Sequence, residues 1–133
     1  MGRTRTRTAT GIVLDTGALI ALERGDKRMI ALLDRALTQS RAFRVPAGVV
    51  GQAWRNGRLQ VTSALFLRSE EVEIVPLDEQ LARSCGELRG AASASEVIDA
   101  SVVIIARERQ DLIVMSDPGD LRRLDPAAQI ITL

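Results

Sequence analysis

Short apolar runs alternate along the chain with segments whose apolar residues recur every three or four positions. Short runs of this kind predict strands, and a period near 3.6 residues predicts helices. The strands are expected at Ile12–Asp15, Phe43–Pro46, Val72–Leu77, Leu112–Ser116 and Gln129–Leu133. The helices are expected at Ala18–Arg24, Lys27–Gln39, Ala47–Arg55, Leu59–Ser69, Glu79–Arg89, residues 96–109 and Pro118–Leu124, with residues 90–95 as a loop.

The alternation of strands and helices predicts an α/β fold. Fully apolar strands that are joined by helices are typical of a parallel sheet covered on both faces. Residues 11–133 are expected to form one domain. Residues 1–10, which carry Arg3, Arg5 and Arg7, are expected to form a flexible basic tail.

Three aspartates lie where apolar runs meet helices. Asp15 closes the first strand, Asp117 closes the fourth, and Asp99 is the sole acid in an apolar helical stretch. Ligands of open parallel sheets bind beyond the carboxyl ends of the strands. Carboxylates ~4–5 Å apart would repel each other by roughly 3–4 kcal/mol at an effective dielectric near 20. We therefore predict that the three converge on a divalent cation, which takes oxygen ligands.

Each acid also has a structural interpretation. Asp15 and Asp117 are good N-cap residues, the second with Pro118 at the first helical position. Asp99 is harder to explain in this way, because a carboxylate in an apolar helix is costly unless it is paired or metal-bound. Glu96 shares a face with Asp99, but it also completes the capping box of residues 93–96. Asp120 is expected to be a solvated or capping acid.

Composition removes several classes of function. The chain has no histidine and one cysteine, Cys85. Serine–histidine and cysteine–histidine catalysis, histidine-ligated zinc and disulfides within the chain are therefore excluded. Cys85 is expected in the core. The absence of a membrane-length apolar run and of an apolar N-terminal signal predicts a cytoplasmic protein without membrane contact.

The spaced acids resemble the PIN-domain ribonucleases, and within them the VapC toxins of toxin–antitoxin pairs. The resemblance covers residues 11–133 and depends on the order and spacing of four segments. These are Ile12–Thr16 (IVLDT), Val45–Ala47 (VPA), Val97–Ala100 (VIDA) and Ser116–Leu121 (SDPGDL).

That resemblance implies a three-layer α/β/α sandwich and a Mg²⁺- or Mn²⁺-dependent endoribonuclease that cleaves RNA. It also implies a cognate VapB-like antitoxin that blocks the active site. By matching position, Asp15, Asp99 and Asp117 take the catalytic and metal-binding roles.

One position departs from the family pattern. The family usually has a glutamate in the helix after the second strand, where this chain has Gln52. Glutamine keeps an oxygen acceptor but lacks the charge, so metal binding is expected to be weaker unless Glu96 compensates. A non-catalytic PIN-like module that binds antitoxin or RNA is therefore an alternative. The triplet Asp15–Gly17 also matches aspartic proteases, but that class is all-β and this chain is largely helical.

A homodimer is expected as well, since the helices at 27–39 and 47–69 carry more apolar residues than a short helical hairpin can bury on one side. Exposed apolar patches of this size usually mark interfaces. The residues concerned are Ala47, Val49, Val50, Trp54, Leu59, Leu65 and Phe66.

Overall fold

A computed structural model describes residues 10–92 and 96–133, and within them the chain forms five strands and seven helices. The predicted tail at residues 1–9 and the segment 93–95 lie outside the described residues. The strands are β1 (Ile12–Leu14), β2 (Phe43–Pro46), β3 (Val72–Val75), β4 (Leu112–Met115) and β5 (Ile130–Thr132). The helices are α1 (Thr16–Glu23), α2 (Lys27–Thr38), α3 (Ala47–Ala53), α4 (Val61–Arg68), α5 (Glu79–Ala92), α6 (Val97–Arg109) and α7 (Gly119–Leu124).

Each predicted strand and helix is present, with ends that differ by a few residues. Strand β3 stops at Val75 because Pro76 has no N–H to donate to a sheet ladder. The predicted loop at residues 90–92 is wrong, since α5 continues through Ala92. Alanines at 91 and 92 favour helix strongly enough to outweigh Gly90.

The sheet confirms the predicted α/β class. All of its strand pairs are parallel, in the order β3-β2-β1-β4-β5. Strands β1 and β4 are neighbours, with Leu14 opposite Val114, and Asp15 N donates to Val114 O at 3.2 Å. The carboxyl ends of β1 and β4 therefore meet at one edge of the sheet.

The helices pack in two groups that cover the sheet as a three-layer α/β/α sandwich. Helix α1 packs against α2, α3 and α4 as well as β1 and β4. Helix α6 packs against α5, α7 and the three strands β1, β2 and β4. Most residues of α6 from Ala100 to Ala106 are buried, as expected for a helix that is apolar on nearly every face. Cys85 is buried, as predicted.

An ion cluster that the sequence did not predict lies near the amino end of the sheet. Arg44 on β2 is 4% exposed, and its guanidinium lies 3.4 Å from Asp111, which is also buried. Glu73 and Glu108 lie 3.6 Å from the same guanidinium, and Arg44 Nη1 donates to the Ile105 carbonyl. Arg44 therefore ties β2 to β3 and to the C-terminal end of α6.

None of the helices in the described part of the chain is both long and apolar enough to cross a membrane.

Candidate functional site

Asp15 lies at the junction of β1 and α1. Its Oδ1 accepts a hydrogen bond from Ala18 N at 2.8 Å, so Asp15 is the N-cap of α1, as one of its two interpretations predicted. The residue is 9% exposed. The pKa of Asp15 is raised to about 6, mainly by burial and also by the negative charges of Asp99 and Asp117, against the lowering effect of the backbone N–H groups of Ala18 and Gly17. Asp15 is therefore both a cap and a member of a group of acids.

Asp99 lies in the first turn of α6 and is half-buried. The start of α6 comes close to α3, because Gly48 has no side chain. A Cβ at residue 48 would lie 2.9 Å from Ile98 Cγ1. The small residue in α3 thus allows α6 to bring Asp99 towards the carboxyl end of the sheet.

Asp117 follows β4 by two residues and is exposed. Its Oδ1 accepts from Gly119 N at 3.3 Å, while Pro118 is the N-cap of α7. The expectation that Asp117 caps a helix starting at Pro118 is wrong by one residue. Its carboxylate instead closes a local turn at the solvent-facing side of the sheet edge.

The three aspartates are gathered closely enough for the charges of Asp99 and Asp117 to act on Asp15. No group of three or more acidic, histidine or cysteine side chains within residues 10–92 and 96–133 is compact enough to hold a metal ion. The shared coordination sphere therefore stays a prediction. The chemistry of the donor set suits Mg²⁺ or Mn²⁺, because it consists of hard carboxylate oxygens, one of them desolvated and under like-charge repulsion.

No protein-family model matches this sequence, and no curated protein matches it significantly. The fold, in contrast, matches solved structures along most of their length, among them a toxin and a toxin–antitoxin complex from Klebsiella pneumoniae, which is 15% identical over 92% of this chain and 97% of that chain, with a TM-score of 0.64. FitAcB from Neisseria gonorrhoeae is 19% identical over 91% of this chain and 96% of that chain, with a TM-score of 0.64. VapC20 from Mycobacterium tuberculosis, a toxin that cleaves the sarcin–ricin loop, is 19% identical over 81% of this chain and 91% of that chain, with a TM-score of 0.62. VapBC2 from Rickettsia felis, bound to a promoter DNA fragment, is 14% identical over 91% of this chain and 97% of that chain, with a TM-score of 0.68.

The chain has a PIN-like α/β fold, similar to that of VapC20. In this fold, Gln52 lies on α3 beside the acidic edge. Thr16 Oγ1 donates a hydrogen bond to Gln52 Oε1 at 2.5 Å. Thr16 follows Asp15 in the sequence, so the Gln52 amide contacts the residue next to Asp15. The alignment of Gln52 with the acidic position of PIN domains stays a prediction.

Two small residues, Gly17 and Ser116, lie in contact at the edge of the sheet that carries Asp15. A Cβ at Gly17 would collide with Ser116 Oγ and lie 3.5 Å from Asp15 Oδ1. Glycine at position 17 therefore lets the Ser116 hydroxyl lie against the first turn of α1, beside Asp15. Ser116 is exposed, so this hydroxyl borders the site from the solvent side.

The sequence left open whether Glu96 and Asp120 belong to the site. Glu96 is exposed and is itself the N-cap of α6, with no side-chain cap hydrogen bond among the described residues. The rest of the predicted capping box lies at 93–95, outside the described residues. The side chain of Asp120 also lies outside them.

Sequence reasoning missed two arginines that border the site. Arg24 and Arg28 line a cleft that also contains Gly17 and Ser116. The spacing contains a signal for Arg24, because residues seven apart share a helix face and Arg24 follows Gly17 by seven. Arg28 is on α2, so its proximity depends on the turn between the helices.

Proposed function

We propose that this protein is a metal-dependent endoribonuclease toxin that cleaves RNA phosphodiester bonds and is neutralised by a cognate antitoxin. The observation that carries the proposal is the gathering of Asp15, Asp99 and Asp117, whose mutual charge helps to raise the pKa of Asp15 to about 6. The PIN-like fold supports it, since VapC20, to which this chain is similar in fold, is a toxin that cleaves the sarcin–ricin loop.

In this proposal Asp15, Asp99 and Asp117 hold Mg²⁺ or Mn²⁺. When bound, the ion supplies positive charge that lowers the pKa of water and stabilises charge developing on the phosphate. The protein contributes fixed geometry: Asp15 is held by Ala18 N, and Asp99 is positioned by the buried helix α6.

Water is the nucleophile in the proposed reaction. Since the chain has no histidine, a carboxylate must orient this water and accept its proton. Asp117 suits this role because it is exposed at the mouth of the site. The water oxygen bonds to phosphorus, the bond from phosphorus to O3′ breaks, and O3′ takes a proton from solvent, so the products carry 5′-phosphate and 3′-hydroxyl ends.

The direct test is cleavage of a mixed RNA pool by the purified protein with Mg²⁺, with Mn²⁺ and with EDTA. We expect metal-dependent products with 5′-phosphate ends and no cleavage in EDTA. Asp99→Asn should be inactive, whereas the matched variant Asp34→Asn, at an exposed site on α2, should cleave normally. Products with 2′,3′-cyclic phosphate ends, or equal cleavage in EDTA, would refute the mechanism.

A second function, binding of RNA or antitoxin without cleavage, is favoured by one observation. The position beside Asp15 holds the uncharged Gln52, which is already engaged with Thr16. RNA binding without metal-dependent cleavage of any RNA in the pool would support this alternative.

The antitoxin part of the proposal is supported by the complexes that share the fold. The structure from Klebsiella pneumoniae is a toxin–antitoxin complex, and VapBC2 from Rickettsia felis is bound to a DNA fragment from its promoter. The test is to purify the protein encoded beside this gene and titrate it into the cleavage reaction. Stoichiometric inhibition is expected, and the absence of complex formation would remove this partner.

A further inference from the structure

Two clefts open on either side of α1, and both reach the acidic edge of the sheet. The first has a volume of about 630 Å³ and meets the site through Gly17 and Ser116. The second, of about 300 Å³, meets it through Gln52. Arg24 lines both clefts, so one side chain at the C-terminal end of α1 borders the two spaces on either side of the site.

Each cleft contains one further arginine. Arg28 lines the first and Arg55 lines the second. Arg24, Arg28 and Arg55 are all exposed, and none is within ion-pair distance of a carboxylate in the described part of the chain.

The acids that line these clefts are bonded to backbone N–H groups. Asp26 accepts from Met29 N at 2.9 Å, and Glu23 accepts from Ser63 N at 3.0 Å. The arginine guanidinium groups are therefore left to bind an external anion. Arg55 makes one neutral contact, from Nη1 to the Trp54 carbonyl.

A polyanionic substrate requires cations outside the catalytic centre. The carboxylates of Asp15, Asp99 and Asp117 repel phosphate, so backbone binding must come from flanking side chains. Guanidinium groups match phosphate oxygens with paired hydrogen bonds. Arg24 is nine residues beyond Asp15, which is roughly 13 Å along a helix axis, so it would contact phosphates away from the cleaved bond.

Base stacking has few candidates in this protein. The chain has two phenylalanines, one tryptophan and no tyrosine. Phe43 is buried and packs edge-to-face on Phe66 at 5.4 Å, which leaves Trp54 as the exposed aromatic side chain. Affinity for a single strand must therefore come mainly from phosphate contacts.

We infer that Arg24, together with Arg28 in one cleft and Arg55 in the other, binds the phosphate backbone of single-stranded RNA on both sides of Asp15. The inference rests on the proposed function for its choice of RNA, and it adds the residues that hold the strand. In this arrangement the RNA crosses α1, with Arg24 as the shared contact.

The test measures binding separately from cleavage. A labelled single-stranded oligouridylate is titrated with full-length protein in EDTA at several KCl concentrations, and anisotropy gives the association constant. For each arginine replaced by alanine, the slope of log K against log salt should become shallower by about 0.7 to 1. The triple variant Arg24→Ala/Arg28→Ala/Arg55→Ala should lose affinity by roughly a thousandfold at low salt, tenfold for each contact.

The matched control removes the same charge elsewhere. Arg35, Arg68 and Arg109 are exposed and line neither cleft, so their triple alanine variant should keep the wild-type salt slope. If the triple cleft variant does not fold, the single variant Arg24→Gln serves, with an expected tenfold loss.

Equal losses in both triple variants would overturn the inference, because net charge alone would then explain binding. Unchanged affinity in the cleft variant, or no RNA binding by the wild type, would overturn it as well. If wild-type protein binds RNA through these arginines but never cleaves it, the proposed enzymatic function fails, and the inference that Arg24, Arg28 and Arg55 bind RNA still holds.

Discussion

The hydroxyl of Thr16 donates a 2.5 Å hydrogen bond to the side-chain oxygen of Gln52. This contact joins the first turn of α1 to α3 and places an uncharged amide beside a cluster of acids. Residue 52 is where we expect this chain to differ from PIN-domain ribonucleases, which usually have a glutamate there, and Gln52→Glu adds that charge.

Gln52→Glu should tighten the binding of Mn²⁺. The new carboxylate can keep the hydrogen bond from Thr16 and adds negative charge next to Asp15, which strengthens attraction to a cation. Calorimetric titration measures the change, with Gln80→Glu on the exposed face of α5 as the control for net charge. Equal affinity in the two variants would show that residue 52 is not part of the metal site.

Asp99→Asn should reduce cleavage by at least about a hundredfold while the metal-free protein stays as stable as the wild type. The substitution removes a proposed ligand and also relieves repulsion with Asp15. Cleavage assays and thermal melts in EDTA provide the two measurements. A clear drop in melting temperature would instead show that Asp99 stabilises the fold through a structural partner.

Asp15 should make the metal-free protein less stable as the pH rises. Its folded-state pKa, about 6, lies above the ordinary aspartate value of 3.8, so the native state binds the proton more tightly than the unfolded state. The stabilisation from the proton is complete below pH 4 and is lost as the pH rises through 6, on the order of 2–3 kcal/mol.

Asp15→Asn should therefore become progressively more stable than the wild type between pH 4 and pH 7 in EDTA. Asparagine caps a helix about as well as aspartate, so the bond from Ala18 N is retained. Asp26→Asn, which makes the same change at the N-cap of α2, is the matched control. Denaturant unfolding at several pH values measures the effect, and parallel curves for Asp15→Asn and wild type would contradict it.

Gly48→Ala should impair both stability and activity. A Cβ at this position would lie 2.9 Å from Ile98 Cγ1, so α3 and α6 must separate and move Asp99. Overpacking of this kind costs roughly 1–3 kcal/mol. Gly51→Ala lies in the same helix with open space around its Cβ, so it should be neutral or stabilising by up to about 1 kcal/mol. Equal behaviour of the two variants would show that the close approach of α3 and α6 is unimportant.

The protein should sediment as a homodimer at twice 14.4 kDa. Of the apolar residues expected at the interface, Val49 is buried within the chain, but Trp54, Leu59 and Leu65 are 37%, 75% and 64% exposed. Leu65→Glu should shift the protein to monomer, whereas Leu77→Glu, on another exposed apolar residue, should not. A wild-type monomer at micromolar concentration would contradict the prediction.

Local patterns predict most of this fold, because its strands are short apolar runs and its helices have clear periodicity. Placement of Asp15 and Asp117 at one edge also follows from sequence, since parallel neighbouring strands end together. The Arg44 cluster could not be predicted. A single arginine between Phe43 and Val45 has the pattern of a solvent-facing strand position, and its buried partner Asp111 is 67 residues away.

The clefts around α1 could not be predicted for a related reason. Arg24, Arg28 and Arg55 are separated in sequence, and each is ordinary by itself. Their common placement depends on how α1, α2 and α3 pack, which no local pattern specifies.

The buried contact between Arg44 and Asp111 constrains how this protein can evolve. Loss of Arg44 alone leaves the buried carboxylate of Asp111 uncompensated, at a cost of about 3–5 kcal/mol, whereas apolar replacement of both residues can be nearly neutral. Substitutions at these two positions should therefore occur in pairs across related lineages. Glu73 and Glu108, which are 55% exposed, should vary independently of them.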